Sequence, residues 1–159
     1  MATTHFKGAP VQTNGEIPQN NIPAFKLVGT DLKEVDLEQF KGKKVILNIF
    51  PSIDTGVCAQ STRTFNEKMN NADNTVILCI SKDLPFALNR FCAAEGLDKV
   101  IPLSDFRGEF SKVSGLEMVD GPLKGLLARA VIVLDENGQI THTELVEDIT
   151  QEPNYEAAL

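Results

Sequence analysis

The sequence of 159 residues contains no tryptophan, one tyrosine, two histidines and three cysteines. The number of cysteines is odd and no Cys-x-x-Cys pair occurs, which argues against a disulfide framework and against a zinc ribbon. No run of 18 apolar residues is present, so we expect no membrane span. The first residues lack the apolar stretch of a signal peptide, and we therefore expect a cytoplasmic, reducing setting.

Positive charge is also in short supply. The chain has 15 lysines and arginines against 22 aspartates and glutamates, which gives a formal net charge of −7. This balance argues against nonspecific binding to nucleic acid or to anionic membranes. Neither a phosphate-binding glycine loop nor a dinucleotide fingerprint occurs in the sequence. The length is typical of one domain, and we predict a single domain over residues 1–159.

Apolar runs rich in β-branched residues predict strands buried in a central sheet. These runs cover residues 44–50, 74–80, 100–103 and Ala130–Leu134. The last run is followed by an Asn-Gly turn and a further strand at 140–146, a strong signal for a β-hairpin. The opening segment, residues 6–28, alternates apolar and polar residues and predicts another hairpin followed by a loop.

Helices are predicted between these strands. The second of them begins near Pro85, with Asp83 as a capping acceptor, and ends at Gly96. Shorter helices are predicted at 106–113 and 154–159. The alternation predicts an α/β fold with a mixed central sheet flanked by helices. The first helix has one face formed by Cys58, Thr62, Phe65 and Met69.

Residues 51–58 join a buried strand to this first helix, at the carboxyl end of the strand, where α/β proteins bind their ligands. Cys58 falls in the first helical turn, where unpaired N–H groups and the helix dipole stabilise an anion such as a thiolate. Thr55 stands three residues earlier, so we expect its hydroxyl to reach the backbone or the sulfur of Cys58. The alternative is that Thr55 only caps the helix and Cys58 is a small buried residue.

Arg129 stands immediately before the predicted buried strand Ala130–Leu134. A buried guanidinium requires an anionic partner. That partner is either the carboxylate of an Asp or Glu, or the thiolate of Cys58 together with any oxyanion that forms beside it. The sequence alone leaves both possibilities open.

The other two cysteines and the two histidines limit the reactions that Cys58 could catalyse. Cys92 lies in the second predicted helix at the edge of its apolar face, so we expect partial exposure, although an incidental cysteine would fit equally well. Cys79 lies within a predicted strand and is interpreted as a core residue. His5 lies near the chain start and His142 on a strand expected to be exposed, so neither predicts a base for a cysteine protease or acyltransferase. A peroxide-reducing thiolate needs no such base.

The spacing Pro51-x-x-x-Thr55-x-x-Cys58 matches the active-site motif of the peroxiredoxins. With Cys92 and Arg129 in place, the chain resembles the bacterial thiol peroxidases, a branch of atypical two-cysteine peroxiredoxins in the thioredoxin-like superfamily. The resemblance extends over residues 6–159. Its strings are NIFPSIDTGVC at 48–58, SKDLPFA at 81–87, RFC at 90–92 and DGPLKGL at 120–126.

This resemblance implies a role for each site residue. Cys58 would be the peroxidatic cysteine and would become a sulfenic acid. Cys92 would be the resolving cysteine that closes an intrachain disulfide with Cys58. Arg129 would hold the thiolate and polarise the peroxide, Thr55 would orient the peroxide oxygens, and Pro51 would shield the sulfur from water. Because the two cysteines lie on separate helices, we predict local unwinding around 55–60, around 85–95, or in both segments.

The resemblance further implies a thioredoxin-like fold with an N-terminal β-hairpin and a homodimer. The activity would be reduction of hydrogen peroxide and organic hydroperoxides, with alkyl hydroperoxides preferred, thioredoxin as the reductant, and neither a cofactor nor a metal. Two other hypotheses remain on the same fold. One is a thiol–disulfide oxidoreductase, although that chemistry usually uses Cys-x-x-Cys. The other is a peroxide-sensing redox switch.

Overall fold

The computed structural model describes residues 1–68 and 73–159 of the chain; Met69, predicted to lie on the first helix, is outside this part. The strands are β1 Thr3–Phe6, β2 Ala9–Gln12, β3 Leu27–Gly29, β4 Glu34–Val35, β5 Lys44–Ile49, β6 Thr75–Ser81, β7 Ile101–Ser104, β8 Ala130–Leu134 and β9 Ile140–Leu145. The helices are α1 Gly56–Lys68, α2 Pro85–Glu95, α3 Glu109–Ser114 and α4 Tyr155–Ala158, with a short 3-10 helix at Leu37–Phe40.

A seven-stranded sheet in the order β4-β3-β7-β6-β5-β8-β9 forms the centre of the molecule. Strands β5, β6 and β7 are parallel to one another, whereas β8 pairs antiparallel with β5, and β9 with β8. The predicted mixed sheet is therefore confirmed, as is the hairpin of β8 and β9. The continuous apolar run of β5 follows from its position, because neighbouring strands flank it and both of its faces are covered.

Apolar side chains pack on both faces of this sheet. On one face, Leu47 and Leu78 pack in a cluster with Phe110 of α3. On the other face, Ile46 packs in a cluster with Phe65 of α1 and Leu88 of α2. The other buried members of this cluster are Phe50, Ile53, Cys58, Ile77, Cys79, Val100, Val131, Val133 and Ala158. This arrangement places α1 and α2 on the same face of the sheet.

An N-terminal β-hairpin of β1 and β2 forms a separate two-stranded sheet, as predicted. Its position differs from the prediction, since it spans residues 3–12 rather than the stretch from 6 to 28. The two turn residues, Lys7 and Gly8, have φ values of +52° and +86°, which matches a two-residue turn that requires positive φ at both positions. No signal in the sequence predicted β3 and β4, because three and two residues are too few to show alternation.

The helix boundaries agree with the sequence patterns except at α3. We predicted a helix from residue 106, but α3 begins at Glu109 because Gly108 has φ +83°, a left-handed conformation that cannot continue a helix. Gly96 ends α2 in the left-handed conformation with φ +65°, as its position predicted. Within residues 1–68 and 73–159, no helix is long and apolar enough to cross a membrane.

Candidate active site

Cys58 lies in the first turn of α1, directly after the loop that leaves the carboxyl end of β5. Its side chain is fully buried and belongs to the apolar cluster that includes Phe50, Ile53 and Val131. The amino end of a helix offers unpaired N–H groups and the positive end of the helix dipole. The position therefore combines stabilisation of an anion with protection of the sulfur from bulk water.

Arg129 provides the positive charge beside this sulfur. Its Nη2 atom donates a hydrogen bond to Cys58 Sγ at 3.0 Å, and its Nε atom donates to the carbonyl of Ile149 at 2.8 Å. The residue is only 1% exposed, and in the described part of the chain no carboxylate lies within ion-pair distance of it. Of the two partners left open by the sequence, the structure therefore selects Cys58.

One donor of Arg129 remains free. The Nη1 atom is buried and has no hydrogen-bond partner among the described residues. An unsatisfied buried guanidinium N–H costs free energy unless another group binds it. The arrangement therefore suits a bound oxygen atom next to the Cys58 sulfur.

The backbone of Cys58 is held from the far side of its helical turn. Its carbonyl accepts hydrogen bonds from the hydroxyls of Ser61, at 2.9 Å, and Thr62, at 3.1 Å. Asn48 of β5 lies behind them, with its Nδ2 3.4 Å from Ser61 Oγ and 3.6 Å from the sulfur of Cys79. No motif in the sequence predicts this buried polar cluster, because each member alone is an ordinary polar residue in an apolar stretch.

Thr55 differs from its expected geometry. Its hydroxyl donates to the carbonyl of Ser52 at 3.0 Å, and its own N–H donates to the same carbonyl at 3.2 Å. This turn directs the hydroxyl hydrogen back toward the loop and away from Cys58, although the hydroxyl oxygen can still accept. The carbonyl of Thr55 accepts from the N–H of Ala59 at 3.0 Å, so Thr55 stands at the start of α1. Pro51, at the beginning of the loop, is buried.

The sequence predicts Asp83 as the capping residue of α2, but the structure shows that it does not cap this helix. The residue that precedes α2 is Leu84, whose side chain makes no capping hydrogen bond to the described residues. The Asp83 carboxylate instead accepts hydrogen bonds from Ser52 Oγ and from the N–H of Ile53, both in the loop before α1. The physical reason is that β5 and β6 are adjacent and parallel, so the loops that follow their carboxyl ends meet. Pro85, the first residue of α2, also has no N–H to be capped.

Cys79 and Cys92 are both free thiols in the structure, as is Cys58. Burial raises the pKa of Cys79, on β6, from its ordinary value of 9.0 to about 12. Cys92, near the end of α2, is partly buried as expected, and burial raises its pKa from 9.0 to about 11. Both groups are therefore protonated at neutral pH in this conformation, and neither is a ready nucleophile.

Arg63 of α1 contacts the part of α2 that carries Cys92. Arg63 of α1 forms an ion pair with Glu95 in the last turn of α2, with its Nε atom 2.8 Å from the carboxylate. The same guanidinium lies 5.5 Å from the centre of the Phe91 ring, a cation–π contact. These contacts hold the two helices together while Cys58 and Cys92 are not bonded to each other.

Comparison with known proteins agrees with this geometry. The profile of the redoxin family matches residues 18–159. The thiol peroxidase of Corynebacterium glutamicum is 56% identical over 161 aligned residues, which cover 100% of this chain and 98% of that protein. The thiol peroxidase of Mycobacterium bovis is 52% identical, with 100% of this chain and 97% of that protein covered.

Solved structures show the same fold. A peroxiredoxin-like protein from Aquifex aeolicus superposes with a TM-score of 0.93 at 36% identity, over 99% of this chain and 93% of that one. The thiol peroxidase from Chromobacterium violaceum has a TM-score of 0.91 at 20% identity, with the same coverage, and supports the fold alone. The central mixed sheet, the N-terminal hairpin and the relatives together confirm the predicted thioredoxin-like fold, and the chain belongs to the redoxin family, among its thiol peroxidases.

Proposed function

We propose that this thiol peroxidase reduces hydroperoxides at the sulfur of Cys58, with Arg129 as the group that holds and polarises the substrate. The observation that carries the proposal is the 3.0 Å contact between Arg129 Nη2 and the Sγ of Cys58, which belongs to a buried apolar cluster. A buried guanidinium paired with a sulfur has little use in a purely structural cysteine. It is the arrangement that a reactive thiolate and a developing oxyanion require.

In the first step, the Cys58 thiolate attacks the terminal oxygen of the hydroperoxide. The sulfur–oxygen bond forms as the oxygen–oxygen bond breaks, so the sulfur is oxidised to a sulfenic acid and the peroxide is reduced. The leaving alkoxide or hydroxide takes up a proton and departs as alcohol or water. The free Nη1 donor of Arg129 stabilises the negative charge as it develops on the leaving oxygen.

The loop before α1 completes the pocket in this proposal. The oxygen of the Thr55 hydroxyl accepts the hydrogen of the peroxide while its own hydrogen remains bonded to Ser52. Pro51 is buried and keeps bulk water from the sulfur. We attribute most of the acceleration to hydrogen bonds made to the two peroxide oxygens in the transition state.

In the second step, Cys92 attacks the sulfenic sulfur of Cys58. The disulfide forms, and the sulfenic hydroxyl leaves as water after it gains the thiol proton. A disulfide requires Cα atoms about 4.4–6.8 Å apart, and the burial that raises the pKa of Cys92 to about 11 must be relieved before it reacts. The step therefore includes local unwinding of α1, of α2, or of both.

A dithiol reductant then restores the enzyme by thiol–disulfide exchange, and we propose that this reductant is thioredoxin. A reducing, cytoplasmic setting fits three free cysteines and such a reductant. We further propose a homodimer. Three exposed apolar side chains follow the carboxyl ends of β6 and β7, near the site, and offer a contact surface: Leu84, Phe86 and Phe106 are 52%, 67% and 42% exposed.

A thiol map by mass spectrometry tests the cycle. The reduced protein is treated with one equivalent of cumene hydroperoxide and digested. We expect a loss of two hydrogens, a peptide that links Cys58 to Cys92, and a free Cys79. The Cys92→Ser variant should instead accumulate a sulfenic acid at Cys58, and the Cys79→Ser variant should behave as the wild type. Three thiols that remain untouched by peroxide would reject the proposal.

Turnover separates the peroxidase from the two remaining hypotheses. The peroxidase oxidises NADPH continuously when peroxide, thioredoxin and thioredoxin reductase are present. A redox switch is oxidised once and does not turn over. A thiol–disulfide oxidoreductase reduces insulin disulfides in the absence of peroxide, which we do not expect from a chain without a Cys-x-x-Cys pair.

A further inference from the structure

The loop between β5 and α1 is bound to the end of β6 by the carboxylate of Asp83, which lies outside the cysteine–arginine pair. Asp83 Oδ1 accepts from Ser52 Oγ at 2.8 Å, and Asp83 Oδ2 accepts from the N–H of Ile53 at 2.7 Å. A third donor, Ser81 Oγ, lies 2.6 Å from Oδ2. Hydrogen bonds to an ionised acceptor are shorter and about twice as strong as neutral ones. The carboxylate therefore fixes the course of the loop.

Asp83 is itself held firmly. Its N–H donates to the hydroxyl of Ser81 at 3.2 Å, and its carbonyl accepts from the hydroxyl of Ser104. Ser81 and Ser104 are buried and stand at the carboxyl ends of β6 and β7. The anchor thus connects the loop to the rigid sheet.

The contacts of this anchor lead to the substrate side of the pocket. Ser52, which donates to Asp83, presents its carbonyl to the hydroxyl of Thr55. Arg129 and its partner carbonyl at Ile149 belong to a different part of the fold and share no contact with Asp83 among the described residues. Loss of Asp83 should therefore disturb the orientation of Thr55 and leave the pairing of Arg129 with Cys58 in place.

We propose that Asp83 is a positioning residue for peroxide reduction, which holds the loop through Ser52 and Ile53 so that Thr55 meets the peroxide in the reactive orientation. This inference rests on the proposed peroxidase function of Cys58. The new element is that the attack of Cys58 on the peroxide depends on Asp83, a side chain that contacts neither the substrate nor the sulfur.

Two substitutions at Asp83 remove its hydrogen bonds to the loop, one completely and one in part. Asp83→Ala removes both carboxylate oxygens and with them the acceptor of the Ile53 N–H. Asp83→Asn keeps one oxygen for Ile53 and Ser81 and turns its amide toward Ser52, whose hydroxyl can accept as well as donate. The matched control is Asp54→Asn, in the same loop, where an exposed carboxylate lies 3.5 Å from Arg90 of α2.

The primary measurement is the second-order rate constant of the reduced protein with cumene hydroperoxide, at single turnover. A misplacement of about 1 Å can cost about a hundredfold in rate, so we expect Asp83→Ala to be slower by about 10- to 100-fold. We expect Asp83→Asn to remain within about fivefold of the wild type because it retains an acceptor for the Ile53 N–H. Asp54→Asn should remain within about twofold, since an exposed ion pair contributes little.

The second measurement is the rate at which iodoacetamide alkylates Cys58 in the same variants. The alkylation rate depends on the Cys58 thiolate, but it does not depend on how the peroxide oxygens are oriented. A merely destabilised fold would expose the buried Cys58 and accelerate alkylation without a selective loss toward peroxide. We expect the alkylation rate of Asp83→Ala to stay within about twofold of the wild type. A larger rise would mean that the loss toward peroxide comes from an opened fold, and it would overturn the inference.

Clear outcomes overturn the inference. They are a loss below tenfold in Asp83→Ala, an alkylation rate that falls in step with the peroxide rate, or an equal loss in Asp54→Asn. If Asp83→Ala does not fold, Ser52→Ala takes its place, because it removes one of the three donors. It should slow the peroxide step at least threefold, and an unchanged rate overturns the inference. A wild-type protein that fails to consume peroxide would reject the proposed function itself.

Discussion

Arg129 and Cys58 are 71 residues apart in sequence, yet their Nη2 and Sγ atoms are 3.0 Å apart. The contact arises because β8 pairs antiparallel with β5, which brings Arg129, before the first residue of β8, to the end of β5 that leads into α1. Its Nε atom is fixed on the Ile149 carbonyl. The guanidinium is thus held in place before any substrate binds.

The first prediction concerns the planar shape of the guanidinium. Arg129→Lys keeps the charge, but a single ammonium cannot reach Cys58, Ile149 and a peroxide oxygen in the same fixed geometry. We expect the rate constant with cumene hydroperoxide to fall by about 100- to 1,000-fold, as for the loss of an oxyanion donor. The control is Arg107→Lys, at an exposed ion pair with Glu34. A loss below threefold in Arg129→Lys would contradict the proposed role.

The second prediction concerns the hydroxyl of Thr55. Thr55→Val removes both the bond to the Ser52 carbonyl and the proposed acceptor for the peroxide, whereas Thr55→Ser keeps them. We expect at least a tenfold loss in the peroxide rate for Val, in the range of a lost transition-state contact, and a rate within about threefold for Ser. Stopped-flow oxidation measures both. Equal rates in the two variants would remove Thr55 from the mechanism.

The third prediction concerns the ion pair that joins α1 to α2. Glu95→Gln weakens the contact with Arg63, so α2 opens more readily and Cys92 reaches the sulfenic acid sooner. Exposed pairs contribute up to about 1 kcal/mol, which corresponds to a change of up to about fivefold. We expect faster disulfide formation and less sulfinic acid at Cys58 under excess peroxide, both measured by mass spectrometry.

The control for this ion pair is Glu156→Gln. It weakens a comparable contact, that of Lys68 on α1 with α4, and leaves α2 untouched. We expect no change in sulfinic acid. Similar sulfinic acid levels in both variants would show that the ion pair between Arg63 of α1 and Glu95 of α2 does not limit disulfide formation.

The fourth prediction concerns alkaline pH. Burial raises the pKa of Cys79 to about 12 from 9.0, so the folded state keeps a proton that the unfolded state releases above pH 9. The stability from the neutral buried thiol is complete below pH 9 and is lost as the pH rises toward 12. From pH 8 to 10.5, one such group removes about 2 kcal/mol from the free energy of unfolding.

Urea denaturation at the two pH values measures this loss. The Cys79→Ala variant should start less stable, because it leaves a small cavity beside Asn48, but it should lose about 2 kcal/mol less between pH 8 and pH 10.5. Parallel losses in wild type and variant would mean that Cys79 does not titrate on unfolding in this range. The lysine and tyrosine side chains also titrate in this range, but they are common to the wild type and the variant. Their contributions therefore cancel when the two losses of unfolding free energy are subtracted.

Many of the strands and helices are predictable from the sequence because the patterns that indicate them are local. The apolar run of β5, the Asn-Gly turn before β9 and the stop of α2 at Gly96 each depend on a few neighbouring residues. The opening hairpin was predicted but displaced, and the start of α3 was missed by three residues. Strands β3 and β4 escaped prediction because they are too short to show alternation, and because β3 pairs not only with β4 but also with β7, which lies far along the chain.

The sequence by itself determined that a cysteine stands at the start of a helix, after a buried strand, with an arginine before another buried strand. Only the tertiary structure decided that the arginine binds the sulfur rather than a carboxylate, and that Asp83 holds the active-site loop instead of capping α2. The reason is physical. Local signals depend on backbone conformation within a few residues, whereas the partner of a charged side chain depends on sheet register, which brings distant strand ends together.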